Sequence, residues 1–214
     1  MNDIIVIGGG IAGVSAAARL SAHANVTLVE GENALGYHAS GRSAALFEKN
    51  YGLPSVIALN YASEAYHQPY LSPRGFMLLG RRGEDAGFDA DASTLKCPEV
   101  SVPEARKHIP ILNDTVTRAA YHPEAYDIDT DRMIHDFAKV VRTNGGQVLT
   151  GNKVSAISFD QGWRVRCDNE TLTASTLVNA AGAWADEIAV MAGITPWALS
   201  PIAAQWRASL RPMD

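Results

Sequence analysis

The chain has 214 residues, which suits one large domain or two small ones. With 47% hydrophobic and 19% charged residues it has the composition of a soluble globular protein with a core to bury. The net charge of −5 comes from 18 basic and 23 acidic residues, and no basic cluster exceeds the pair Arg81 and Arg82, which excludes a nucleic-acid footprint.

The first element is the run Ile4 to Ile7, β-branched throughout and too short for a helix. It predicts a strand buried on both faces of a parallel sheet. It enters Gly8, Gly9 and Gly10, with Gly13 three positions on, and an alanine-rich helix is expected from Ile11 to about Ala22. A second strand, Val26 to Val29, is closed by Glu30. The next two dozen or so residues are poor in large apolar groups, and so long an irregular stretch in a compact domain is usually functional. A short helix is expected near Ser43, then a longer one from about Pro54 to Tyr66, with proline in its first turn. Gly75 to Gly80 reads as a strand and residues 82–93 as a polar loop. Ser101 and Glu104 form the capping box of a helix that Pro110 ends. A strand and turn follow from Val116, and Asp129 or Thr130 caps a helix that Gly145 and Gly146 terminate. Short strands are expected at Gln147 to Thr150, Val154 to Phe159, Trp163 to Cys167, Thr171 to Thr173 and Leu177 to Ala180, the second and third forming a hairpin. A helix from Trp184 to Ala192 comes last. The expected architecture is α/β, a Rossmann-like parallel sheet built from both ends with a mixed insertion between.

The chemistry lies first in the glycines. G-x-G-x-x-G between a strand and a helix, with an acidic residue about 20 positions on, is the dinucleotide fingerprint. Gly8 permits the tight turn, Gly10 lets backbone approach a pyrophosphate, and Gly13 lets helix and strand pack closely. The helix N-terminus presents N–H groups and a positive dipole end to phosphate. Glu30 can accept ribose hydroxyls, which favours an adenosine without a 2′-phosphate. A second turn of small residues, Ala180, Ala181 and Gly182, follows a strand as where backbone must approach a ligand. Arg42, flanked by Ser40 and Ser43, could steady a diphosphate.

Other residue types carry less. Tyr61, Tyr66 and the run Phe76 to Leu79 read as core. The six histidines, His38 among them, show no metal-ligand spacing, so no metal is expected, and each reads as a surface or satisfied histidine. Cys97 and Cys167 belong to no C-x-x-C pattern and read as inert buried thiols. No basic leader precedes the first strand, and no apolar run approaches the roughly 18 residues of a membrane span, so a cytoplasmic protein is expected.

Five stretches in one order, "IIVIGGGIAGVSAAARL", "VTLVE", "GYHASGRSAAL", "DIDTDRMIHDFAKVVRTNGGQV" and "LVNAAGAWADEIA", resemble the D-amino-acid oxidase family of FAD-dependent oxidoreductases. "GYHASGRSAA" and "LSPRGFM" look most like its catabolic D-arginine dehydrogenase branch. The resemblance implies FAD held by Gly8, Gly10, Ala12 and Gly13 at the pyrophosphate and by Glu30 and Gly31 near the adenosine ribose. It places the loop Ala39, Ser40, Gly41, Arg42, Ser43, Ala44, Ala45 and Leu46 along the pyrophosphate and flavin. Val154 would meet the adenine, and Ala181 and Gly182 would close the diphosphate site. The implied reaction is hydride transfer from the α-carbon of a D-amino acid to the flavin, giving an imino acid that hydrolyses to a 2-oxo acid and ammonia. The resemblance names no catalytic residue in this stretch.

Leu46, Tyr51 and Phe76 fall at substrate-side positions of that branch. Leu46 replaces a histidine and Phe76 replaces the glutamate that pairs with a guanidinium, whereas Tyr51 is retained. A small neutral or apolar amino acid is therefore the expected substrate, with quinone or O₂ as electron acceptor. The resemblance makes the chain the N-terminal part of a two-domain flavoenzyme, with FAD-binding segments at about 1–70 and 130–195 and a partial substrate domain at about 71–129. Ala203 and Ala204 stand where a basic pair is expected. The family's substrate-carboxylate anchor comes from a later half, which a second chain could supply; the alternative is a catalytically silent FAD-binding fragment.

Overall fold

The structure, a computed structural model, describes residues 2–198. In chain order the elements are β1 (Asn2–Ile7), α1 (Ile11–Leu20), β2 (Val26–Val29), β3 (Leu46–Phe47), α2 (Pro54–His67), β4 (Leu71–Pro73), β5 (Phe76–Arg81) and α3 (Asp85–Thr94). They continue with β6 (Glu99–Val100), α4 (Val102–His108), β7 (Val116–His122), β8 (Tyr126–Ile128), α5 (Thr130–Thr143), β9 (Gln147–Leu149), β10 (Val154–Phe159), β11 (Trp163–Cys167), β12 (Thr171–Asn179) and α6 (Ala185–Met191). Single 3₁₀ turns at Gln68–Tyr70 and Gly182–Trp184 precede β4 and α6. The chain divides into two units, residues 1–42 with 134–214, and residues 43–133.

The first unit is built on a six-stranded sheet ordered β10-β11-β12-β1-β2-β9. β12, β1, β2 and β9 run parallel, while β10 and β11 are antiparallel to each other and to β12. The α/β architecture expected from the sequence is thus present. β1 sits centrally, and Ile5 and Val6 are wholly buried. α1 packs on β1 and β2 through Val14, Ala17 and Ala18, and the small alanines bring the helix close to the sheet. A continuous core joins Ile5, Ile7 and Val29 to Val165, Leu172 and Ile188.

The second unit holds two three-stranded sheets, β3-β8-β4 and β5-β7-β6. In the latter, Phe76 stands opposite His122. Ser101 caps α4 by accepting from the N–H of Glu104 at 3.2 Å, but the Glu104 carboxylate turns to Lys107 at 2.6 Å, so only half of the capping box forms. Asp129 caps α5 by accepting from the N–H of Arg132 at 2.9 Å.

Four expectations need correction. No helix forms near Ser43; the carbonyls of Ala44 and Ala45 accept from Arg74 and from the N–H of Ile128, which holds this segment extended into β3. Residues 82–93 are mostly helical, not loop, because α3 needs only one apolar anchor. Phe88 is buried under the Arg118 guanidinium, which lies 4.3 Å from its ring centroid and pairs with Asp89 at 2.8 Å. The two strands expected at 171–173 and 177–180 are one, β12, since the small Ala174 between them is fully buried and paired on both sides. Tyr61, Tyr66 and Leu79 are 45%, 41% and 38% exposed, not core; α2 buries no residue, and its half-buried side runs through Ile57, Asn60, Glu64 and His67. Among the described residues no helix is long and apolar enough to cross a membrane, and no cluster of side chains could hold a metal ion. Cys97 and Cys167 are buried and unpaired, as expected. Ala203 and Ala204 lie outside the described residues.

Candidate cofactor site

β1, β2 and β12 end side by side at the carboxyl edge of the parallel sheet, where open α/β sheets bind ligands. The N–H of Gly8 donates to Val29 at 2.8 Å and that of Ala180 donates to Ile7 at 2.8 Å, so the three strand ends are tied before the chain turns away. Gly8 has φ +113°, and a Cβ there would run into the carbonyl oxygen of Ala180. A Cβ on Gly13 would run into the carbonyl of Gly8 itself. Glycine at both positions is therefore a condition for the turn and for the approach of α1, as the fingerprint predicts.

Above this edge lies a cleft of about 580 Å³. Its lining includes Gly8, Gly10, Glu30, Gly31, Ala39, Ser40, Val154, Ala181 and Gly182. The sequence separates these groups widely, and the fold brings them to one surface. Gly10 is the N-cap of α1, whose first-turn N–H groups have no intrahelical acceptors. One of them, from Ile11, donates to the Ser40 hydroxyl at 3.0 Å.

The Glu30 carboxylate is held in place from both sides. One oxygen accepts from the N–H of Gly9 at 2.6 Å and the other from that of Glu32 at 2.8 Å. Each carboxylate oxygen keeps a second acceptor site, so Glu30 can still take ribose hydroxyls. Bare backbone at Gly8 and Gly10, a helix N-terminus and an anchored carboxylate lining one cleft suit the ADP portion of FAD.

Other predicted positions lie elsewhere. Ala12 and Gly13 are in α1 outside the cleft lining, and Gly13 serves packing. Gly41 and Arg42 are also outside it; Arg42 donates through Nε to the carbonyl of Tyr37 at 2.9 Å and covers the Tyr37 ring at 4.8 Å. Ser43, Ala44, Ala45 and Leu46 belong to the second unit, with Leu46 paired to Asp127. In that unit Tyr51 is 70% exposed and Phe76 is half-buried at the start of β5.

Among the lining residues that the sequence does not single out are Glu32, His38 and Trp184. The His38 Nε2 lies 2.9 Å from a Glu32 carboxylate oxygen, and its ring packs on Trp184 with centroids 4.5 Å apart. No metal spacing or triad marks His38. Trp184 does follow the small-residue turn at Ala180 to Gly182, and that adjacency was the available signal.

A family profile described as FAD dependent oxidoreductase (DAO) matches residues 3–205. Among solved structures, L-α-glycerophosphate oxidase from Mycoplasma pneumoniae superimposes with a TM-score of 0.76 at 20% identity, covering 90% of this chain and 57% of its own. Glycine oxidase from Geobacillus kaustophilus gives 0.76 at 20% identity, covering 90% and 58%. L-proline dehydrogenase from P. horikoshii gives 0.72 at 22% identity, covering 90% and 56%. The chain thus spans somewhat over half the length of the structures it matches. On the strength of the profile match, and with a fingerprint turn and cleft of the form such a cofactor requires, the chain belongs to the family of FAD-dependent oxidoreductases.

Proposed function

We propose that this chain serves FAD-dependent oxidative deamination of a D-amino acid, as a relative of the D-arginine dehydrogenase branch. The observation that carries the reading is the cleft at the ends of β1, β2 and β12, whose lining includes Gly8, Gly10 and Glu30 of the fingerprint. Glycine oxidase and L-amino acid deaminases are among the matched folds, beside L-α-glycerophosphate oxidase, and the choice of amino-acid chemistry rests on the resemblance carried by "GYHASGRSAA" and "LSPRGFM". In this reading the segments at about 1–70 and 130–195 hold FAD, and the segment at about 71–129 is part of the substrate domain.

When bound, FAD supplies the hydride acceptor for the substrate α-carbon. The chain's own residues bind and orient. Backbone N–H groups at Gly10 and the start of α1 would hold the pyrophosphate, Glu30 would accept the ribose hydroxyls, and Gly31, Val154, Ala181 and Gly182 would close around the adenosine and diphosphate. Ala39 and Ser40 would continue along the cofactor.

Leu46, Tyr51 and Phe76 are assigned to the substrate side. Leu46 and Phe76 offer no carboxylate to a guanidinium, and an unpaired buried cation costs on the order of 3–5 kcal/mol. The substrate class is therefore a neutral or apolar D-amino acid, oxidised in the cytoplasm with O₂ or a quinone as final acceptor. The substrate-carboxylate anchor would come from a further polypeptide segment, supplied in the same or a second chain.

The test is the visible spectrum of the purified protein before and after anaerobic addition of single D-amino acids. Bleaching by D-alanine or D-leucine and none by D-arginine is expected; preferential bleaching by D-arginine would sink the substrate assignment. Because the chain matches only part of each longer structure, a second reading stands beside the first: a flavin-binding chain without turnover. A flavin spectrum that no amino acid bleaches would favour it.

A further inference from the structure

We propose that Glu32, His38 and Trp184 form a latch across the mouth of the cofactor cleft that closes on the ADP portion of the dinucleotide. The inference rests on the cleft being the FAD site and adds a role for residues that the fingerprint does not include. All three side chains line the cleft, and they come from different segments: Glu32 just after β2, His38 in the following loop, and Trp184 in the turn before α6.

The backbones at the two ends are fixed. The N–H of Glu32 donates to Glu30 at 2.8 Å and its carbonyl accepts from Gly151 at 2.7 Å, while the N–H of Trp184 donates to Ala181 at 3.0 Å. Between these posts the side chains meet: Glu32 with the imidazole of His38 at 2.9 Å, and that ring with Trp184 at a centroid distance of 4.5 Å and an angle of 51°. Tyr37 backs the imidazole edge-on at 5.1 Å.

Exposure decides in favour of a movable device over a structural one. His38 and Glu32 side chains are 40% and 41% exposed, and Trp184 is 42% exposed. An ion pair or hydrogen bond so placed is worth little, as is one aromatic contact, so rotating the rings outward is affordable and admits the ligand. Glu32 stands two residues after the ribose-facing Glu30 and Trp184 two after Gly182, so the latch joins neighbours of the proposed ribose and diphosphate contacts.

Tryptophan emission tests this without turnover. ADP is titrated into the flavin-free protein and into the W184F, H38A and H38F variants, with inorganic pyrophosphate as the probe lacking adenosine. ADP absorbs no tryptophan emission, so a change that it causes reports on the environment of the indole. The expected result is an ADP-dependent change in the wild type that vanishes in W184F, and no response to inorganic pyrophosphate. Affinity for ADP should weaken about three- to tenfold in H38A and W184F, as expected for one lost aromatic contact, and H38F should recover most of it. Tight ADP binding with the same affinity in all forms, or an emission change that survives in W184F, would overturn the latch while leaving the cleft assignment intact. Absence of ADP and FAD binding in every form would overturn both.

Discussion

Replacing Gly8 by alanine tests the cofactor turn most directly. At φ +113° an L-residue pays roughly 1–2 kcal/mol for its backbone, and the new Cβ meets the carbonyl oxygen and carbon of Ala180, neither of which can swing aside. Overpacking of this kind typically costs about 1–3 kcal/mol more. Together the G8A loss is about 2–5 kcal/mol, a large fraction of the roughly 5–15 kcal/mol that holds an ordinary domain together. Gly182 is the control. Its φ is +55°, but a Cβ there meets nothing within 4 Å, so G182A should lose only the backbone component, about 1 kcal/mol. Urea unfolding followed by far-UV circular dichroism gives both losses, and flavin content after purification shows whether the turn still binds. If G8A unfolded at the same urea concentration as G182A, the contact with Ala180 would not be the constraint deduced here.

Three further outcomes follow from the same structure. E30A should lower both stability and flavin content, because it leaves the buried N–H of Gly9 without its 2.6 Å acceptor, a loss of about 1–3 kcal/mol; retention of full flavin in E30A would refute the role given to this carboxylate. Burial lowers the His67 pKa, and its Nδ1 has no hydrogen-bond partner among the described residues. The unfolded chain then binds more protons, so this contribution to stability is present above about pH 6.5 and is lost as pH falls below it. The melting temperature should accordingly drop less between pH 7 and pH 5 in H67F than in the wild type, and equal drops would exclude His67 as the source. Burial, with Glu170 and Asp168 nearby, pushes the Cys167 thiol up to about 11, so iodoacetamide at pH 8 should label it only after denaturation; rapid labelling of the native protein, read by mass spectrometry, would contradict this.

Local pattern alone determined the dinucleotide turn. The run Ile4 to Ile7, the spacing of Gly8, Gly10 and Gly13, and Glu30 at the end of the next strand are constraints acting over a few residues, and each appears in the sequence as a residue type only that geometry favours. α3 was illegible for the opposite reason. Its polar residues carry no helical period, and the contacts that order it, Phe88 beneath Arg118, come from a strand far along the chain. The merging of two expected strands into β12 likewise depends on partners on both sides of Ala174. The site shows the same division. The sequence named Gly8, Gly10 and Glu30, but only the tertiary structure set the carbonyl of Ala180 against Gly8 and joined Glu32, His38 and Trp184 at one mouth. Side chains that meet because the strands β1, β2 and β12 end together share no spacing in the chain, and their meeting is decided by the sheet order.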